Sequence, residues 1–148
     1  MKNTARRAAP FAGAPAREVE LFLADVRRAL NLVYFDRFEI TTTDATATTI
    51  CTASPPSSCT WNIAVTVTAK QTNGAGESAV YRRVSAVTRV GSAAPTVMGT
   101  DTIGTDREDV GGWNITIAAS GNDIILQVTG AAGDTVNWTA VVQVQETR

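Results

Sequence analysis

The chain has 148 residues, which is enough for one ordinary domain. A domain of this size buries about 70% of the surface that its unfolded chain exposes, so it can fold without a bound metal or a disulfide. With a net charge of −1, the molecule as a whole has no electrostatic field that would attract nucleic acid or an anionic membrane. The sequence contains no histidine, which excludes reactions that need an imidazole base. Charged residues make up only 18% of the chain while threonine is abundant, which favours β-strands.

The first segment of the chain is basic. Residues 1–17 contain four cations and no acid, whereas the rest of the chain has nine basic and fourteen acidic residues. The four cations are Lys2, Arg6, Arg7 and Arg17. Two prolines and a glycine within residues 1–15 interrupt any helical or strand period, so this part is predicted to be an extended arm. The arm is either a solvated terminus or a contact to an acidic surface of a neighbouring subunit.

One amphipathic helix of about four turns is predicted after Pro15, a residue type favoured at the first helical position. Its apolar stripe consists of Val19, Phe22, Leu23, Val26, Leu30 and Val33. A lone amphipathic helix must bury its stripe, either on a sheet or against copies of itself in an oligomer. All stripe residues except Val33 are therefore candidates for an oligomer interface.

From about Phe38 onward, after a hinge predicted around Asp36, apolar residues recur at every second position, as in half-buried antiparallel strands. The predicted inward sets are Trp61, Ile63, Val65 and Val67; Val84, Ala86, Thr88 and Val90; Trp113, Ile115 and Ile117; Ile124, Leu126 and Val128; and Val136, Trp138, Ala140, Val142 and Val144. With a weaker strand at residues 97–103, about seven to eight strands are expected. The predicted fold is mainly β, an antiparallel sandwich at residues 39–148 that follows the arm and helix at residues 1–38.

Two cysteines, Cys51 and Cys59, flank a loop rich in serine and proline. They could close a disulfide across the loop, which would stabilise the fold by about 2–3 kcal/mol in the chain-entropy model. The alternative is a pair of ordinary reduced thiols, as expected in a reducing cytosol. Two cysteines without histidine make no zinc site.

Reactive groups are scarce in this sequence. No phosphate-binding loop occurs, and the best acidic cluster is formed by Asp106, Glu108 and Asp109. Paired carboxylates could hydrolyse a glycosidic bond, and the same acids could bind calcium, but no calcium-loop spacing is present. A solvated loop that protects a sheet edge is the preferred interpretation. The three tryptophans are assigned to the core, and no catalytic residue, metal or cofactor is predicted.

Four ordered motifs in the second half of the chain carry a family resemblance. They are AVYRRV at residues 79–84, EDVGGWNI at residues 108–115, LQVTGAAG at residues 126–133 and TVNWTAV at residues 135–141. Their order resembles that of β-sandwich modules in virion proteins of tailed bacteriophages, found on tail fibres and capsid surfaces. The resemblance implies a trimeric structural role without enzymatic activity.

The short chain with its own basic arm favours a capsid decoration protein, also called a cement protein. Its partner would be the major capsid protein, and its location the capsid surface of a virion made in the host cytoplasm, without contact to nucleic acid or membrane. The candidate anchoring residues are Lys2, Arg6, Arg7, Phe11 and Arg17. The alternative is a tail-fibre or host-recognition protein, in which loops at the far end, including residues 51–59 and residues 73–77, contact a receptor or a host-surface glycan.

Overall fold

The computed structural model describes Asp25, residues 32–109 and residues 111–148. Nine strands occur in these residues and alternate with short turns. They are β1 (Leu32–Thr42), β2 (Thr48–Ala53), β3 (Cys59–Gln71), β4 (Ser78–Arg89), β5 (Thr96–Thr102), β6 (Arg107–Glu108), β7 (Asn114–Ser120), β8 (Asp123–Thr129) and β9 (Val136–Thr147). No helix among the described residues is long and apolar enough to cross a membrane.

The strands form two antiparallel sheets that pack face to face. The large sheet has the order β1-β9-β3-β4-β5, and the short β6 also pairs with β4, beyond the end of its pairing with β5. The small sheet has the order β2-β8-β7. The predicted fold class, a mainly β antiparallel sandwich, is confirmed.

The core lies between the two sheets and follows from the alternation of β3, β8 and β9. On β3 every second residue from Cys59 to Gln71 is buried, and on β9 the even-numbered residues from Val136 to Val144 are buried. Full burial of one such Val or Leu side chain stabilises the fold by about 1.5–3 kcal/mol. The predicted inward sets of β3, β8 and β9 and the core position of all three tryptophans are confirmed.

Three of the four motifs of the family resemblance, those at residues 79–84, 108–115 and 135–141, contribute to one aromatic cluster in this core. The ring of Trp138 lies 5.8 Å from that of Trp113 and 6.4 Å from that of Tyr81, measured between ring centroids. The hydroxyl of Tyr81 donates a hydrogen bond of 2.9 Å to Glu108. Residues that are far apart in the sequence thus form one packing unit.

The prediction for β4 placed the wrong side of the strand inward. The structure buries Ala79, Tyr81, Ser85 and Val87, whereas Val90, assigned to the core, is 76% exposed. The buried side of β4 also carries Arg83, whose side chain is only 11% exposed. An arginine and a serine on a strand suggest a solvated face, and only their partners in the fold make this face the inner one.

The beginning of the sheet also differs from the prediction. β1 runs from Leu32 to Thr42, with a shift of its register against β9 between Leu32 and Tyr34. Val33, assigned to the helix stripe, therefore lies in a strand, and no hinge occurs at Asp36. The predicted domain boundary at residues 38 and 39 falls within β1. β2 was not predicted, because its short run precedes a proline-rich loop.

The remaining predictions for the N-terminal segment lie outside the described residues, apart from Asp25, which is helical. They concern the basic arm, most of the amphipathic helix, and the candidate anchoring and interface residues. The anchoring candidates are Lys2, Arg6, Arg7, Phe11 and Arg17, and the interface candidates are Val19, Phe22, Leu23, Val26 and Leu30.

Candidate functional site

The loops of the sandwich lie at two opposite ends. The loop end carries residues 43–47, 72–77, 109, 111–113 and 130–135, because β1, β3 and β9 meet there at Thr42, Gln71 and Val136. The base end carries residues 54–58, 90–95 and 121–122, together with Leu32 and Arg148. The 13 residues of β3 separate the two ends by roughly 40 Å.

Asp134 links three segments at the loop end. Its Oδ1 accepts a hydrogen bond of 2.9 Å from Gln71 Nε2, and its Oδ2 accepts one of 3.2 Å from Trp113 Nε1. Gln71 is 7% exposed, and its Oε1 accepts hydrogen bonds from the backbone N–H groups of Gly76 and Glu77 at 3.0 and 3.3 Å. One buried amide and one carboxyl group therefore position the β3–β4 loop against the β8–β9 loop and β7.

Asn73 provides a second link between the same two loops. Its Nδ2 donates to the carbonyl of Gly133 at 2.8 Å, and its Oδ1 accepts from the N–H of Thr135 at 2.7 Å. The N–H of Thr72 donates to the carbonyl of Thr135 at 2.8 Å. The turn itself requires glycine at position 74, where φ is +69° and an added Cβ would lie 3.1 Å from Gln71 Nε2. These bonds fix the tip of the loop end relative to the core.

The acidic cluster near residue 106 lies beside this end and is engaged in packing. Arg83 binds Asp106 through two hydrogen bonds, Nη1 to Oδ1 at 2.5 Å and Nη2 to Oδ2 at 2.7 Å, and its guanidinium lies 5.7 Å from the centre of the Tyr81 ring. Asp109 accepts a hydrogen bond of 3.0 Å from the N–H of Ser78. The acids thus attach residues 106–109 to β4.

The electrostatics of this cluster agree with a packing role. The hydrogen bonds from Arg83 lower the pKa of Asp106 below its ordinary value of 3.8, and the same contact raises the pKa of Arg83. Burial, together with the hydrogen bond to Glu108, raises the pKa of Tyr81. No group of three or more potential metal ligands occurs among the described residues.

The two cysteines lie in different sheets near the base end, and the structure has both as free thiols. The Sγ of Cys59 donates to the carbonyl of Pro56 at 3.1 Å, and burial raises the pKa of Cys51 to about 11. The disulfide is absent from the structure and stays a prediction. The loop between the cysteines is held instead by Arg89, whose Nη1 donates to the carbonyl of Pro55 at 2.6 Å.

The predicted recognition loops are not brought together. Residues 51–59 lie at the base end and residues 73–77 at the loop end, so a single contact surface that contains both is wrong. Sequence reasoning also missed Gln71 and Asp134, which are separated by 63 positions. Their only sequence signal was their place beside turn residues.

No protein-family model matches the sequence, and no curated protein matches it. The solved structures that are similar in part include three tailspike proteins of phages. The one from Acinetobacter phage vB_ApiP_P1 is 18% identical, with 76% of this chain and 22% of that chain covered and a TM-score of 0.40. The one from Acinetobacter baumannii phage AM24 is 12% identical over 91% of this chain and 29% of that chain, with a TM-score of 0.43.

The third is a tailspike protein from Acinetobacter baumannii bacteriophage Fri1, described as a capsular polysaccharide depolymerase. It is 16% identical over 80% of this chain and 20% of that chain, with a TM-score of 0.38. The chain thus spans only 20% to 29% of the length of these three tailspike proteins.

All three of these chains are tailspike proteins of phages, and none of the three is described as a capsid decoration protein. The prediction of a protein without enzymatic activity is corrected, because one of the similar chains is described as a capsular polysaccharide depolymerase.

Proposed function

We propose that the protein is a phage virion component that recognises the host surface through its loop end. The observation that carries this proposal is the arrangement of the ends. β1 begins at the base end, so residues 1–31 join the sandwich there, roughly 40 Å from the loops that Asp134, Gln71 and Asn73 hold in place. Attachment to the particle and contact with the host would use opposite ends of one rigid domain.

The loop end has the properties of a recognition surface built on a rigid scaffold. Its exposed tips are small residues, among them Ala45, Gly74, Ala75, Gly112 and Ala132, which leave backbone hydrogen-bonding groups accessible to a ligand. Preorganised loops lose little conformational freedom on binding, so less of the interaction energy is spent on ordering them.

Charge narrows the class of ligand. Every charged side chain in these four loops is acidic, namely Asp44, Glu77, Asp109 and Asp134, and the adjoining Lys70 at the end of β3 donates to the carbonyl of Gly76 and the hydroxyl of Ser78. An acidic polysaccharide would meet like charges here, which disfavours binding. The ligand proposed is therefore a host-surface glycan that is neutral or carries amino groups, bound mainly by hydrogen bonds to the loop backbone.

The test is binding of the tagged full-length protein to intact bacteria from a panel of strains with and without surface polysaccharide, measured by flow cytometry. Lysine substitutions at the exposed tips, Ala75→Lys and Ala132→Lys, are expected to reduce binding severalfold, through added bulk and, where the glycan carries amino groups, through charge repulsion. Ala94→Lys, at an exposed position of the base end, is the matched control and should bind like the wild type.

Three outcomes would contradict the proposal: no binding to any strain, equal binding of the loop-tip variants and the wild type, or a loss that Ala94→Lys shares. Purified capsids of the same phage serve as the second target. If the protein decorates capsids while binding no cell, the capsid decoration role applies instead of host recognition.

A further inference from the structure

The outer face of the large sheet, which points away from the small sheet, carries few charges at its centre. Along the three central strands, β9, β3 and β4, its outward residues are almost all Thr, Asn, Gln, Ala and Val. The charged exceptions on these described strands are Arg82 and, at the loop end, Lys70, which donates to the hydroxyl of Ser78 at 3.1 Å. Depletion of charged residues is typical of the centre of a protein interface.

The middle of this face is an aliphatic depression. Ala64, Val84 and Val141 from three adjacent strands are half-buried there, and Ile103, which is 48% exposed, stands at its rim. The depression has a volume of about 200 Å³. Its pattern, an apolar centre inside an uncharged polar surround with one arginine, is that of a protein interface with a dry core and a polar rim.

The charge distribution indicates what covers this face. Two copies of one chain bring identical charges, so a face with a strong charge of one sign would repel its copy. A face with so few charges is compatible with another copy, and a second apolar depression would bury the aliphatic side chains of the first. A strongly charged partner such as nucleic acid would find almost no opposite charge here.

This face is larger than the outer face of the small sheet, which also has few charges. Four strands of the large sheet, each 11 to 13 residues long, span about 750 Å², close to the roughly 800 Å² per partner of a standard stable interface. One of the four, the edge strand β1, adds two charges to this face, Arg37 and Glu39, which form an ion pair with each other. The three strands of the small sheet, with 6 or 7 residues each, span only about 300 Å². The larger face alone meets the requirement.

We propose that the outer face of the large sheet is a self-association surface that binds a second copy of this chain, with Ala64, Val84 and Val141 at its centre. This surface is distinct from the helix stripe predicted from the sequence to be an oligomer interface. It is also distinct from the loop end, so recognition of the host and self-association can succeed or fail independently.

The test is sedimentation velocity of the full-length protein over a series of concentrations. Thr66 borders the depression on β3 and is exposed, and Thr116 is an exposed strand threonine on the small sheet. The wild type is expected to self-associate. Thr66→Lys should raise the dissociation constant by roughly a hundredfold, because like charges then meet in the interface. Thr116→Lys, which adds the same charge elsewhere, should associate like the wild type.

Circular dichroism of both variants checks that each is folded, since both substituted residues are exposed strand positions. A wild type that sediments as a monomer at all concentrations overturns the proposal. An oligomer that Thr66→Lys leaves intact also overturns it, as does an equal loss of association in Thr66→Lys and Thr116→Lys.

Discussion

Arg83 and Asp106 form a two-pronged ion pair on the inner side of β4, with side chains that are 11% and 28% exposed. Replacing Asp106 by Asn would leave a largely buried guanidinium without its charged partner. We expect Asp106→Asn to lower the free energy of unfolding by about 1–3 kcal/mol, the usual cost of an unpaired buried polar group. Urea denaturation measures this loss, and Asp101→Asn, at an exposed position of β5, is the matched control with no expected change.

The same pair predicts a difference in acid stability. Arg83 holds the pKa of Asp106 below its ordinary value of 3.8, so Asp106 stabilises the fold at pH values above 3.8, and this contribution is lost as the pH falls through the lower pKa of the folded state. Between about pH 5 and pH 2 the wild type should therefore lose more stability than Asp106→Asn. Parallel curves for the two proteins would contradict the assignment.

The faces of β3 and β9 could be predicted from the sequence because each alternates apolar and polar residues over its whole length. Along β3, Trp61, Ile63 and Val65 are separated by polar or small residues, and both edges of the strand are paired, so one face must be buried.

The buried face of β4 could not be predicted in this way, because it includes Arg83 and Ser85. Their partners, Asp106 and Thr100, come from later in the chain and were assigned to no contact. The hydrogen-bond network of Asp134, Gln71 and Trp113 could not be predicted for a related reason. The periodicity of a strand indicates which of its faces is buried, but not which distant polar residues meet at the end of the strand.

Gly130 provides a test of close packing between the sheets. An added Cβ at this position would lie 2.7 Å from Thr42 Oγ1, which accepts a hydrogen bond of 2.8 Å from the buried Trp138 Nε1. We expect Gly130→Ala to displace Thr42 and to lower the free energy of unfolding by about 1–3 kcal/mol. Thermal or urea unfolding measures the change.

Gly99→Ala is the control for Gly130→Ala. An added Cβ at Gly99 meets no atom within 4 Å, and this residue has no positive φ. Its stability should stay within about 0.5 kcal/mol of the wild type. Equal effects of the two substitutions would show that the contact with Thr42 does not limit the packing at Gly130.

The free thiols should be unreactive in the native protein. Burial raises the pKa of Cys51 to about 11, and burial is also the main cause of the raised pKa of Cys59, so few thiolates exist near neutral pH. A thiol-reactive chromogenic disulfide at pH 8 is expected to modify neither cysteine quickly in buffer and both in urea. Fast modification in buffer would contradict the burial of both groups, whereas absence of reaction in urea would reveal that the chain had been oxidised to a disulfide.

The loop-end network makes a prediction that is local rather than global. Asp134→Ala removes the acceptor of both Gln71 Nε2 and Trp113 Nε1, so Gln71 loses the contact that orients its amide toward the N–H groups of Gly76 and Glu77. Hydrogen exchange of these two N–H groups should accelerate by roughly tenfold or more, while the N–H of Ala93, bonded at the base end, should be unchanged. An equal acceleration at both ends would mean that Asp134 supports only the overall stability of the sandwich, and the loop end would then lack the preorganisation on which host recognition is proposed to depend.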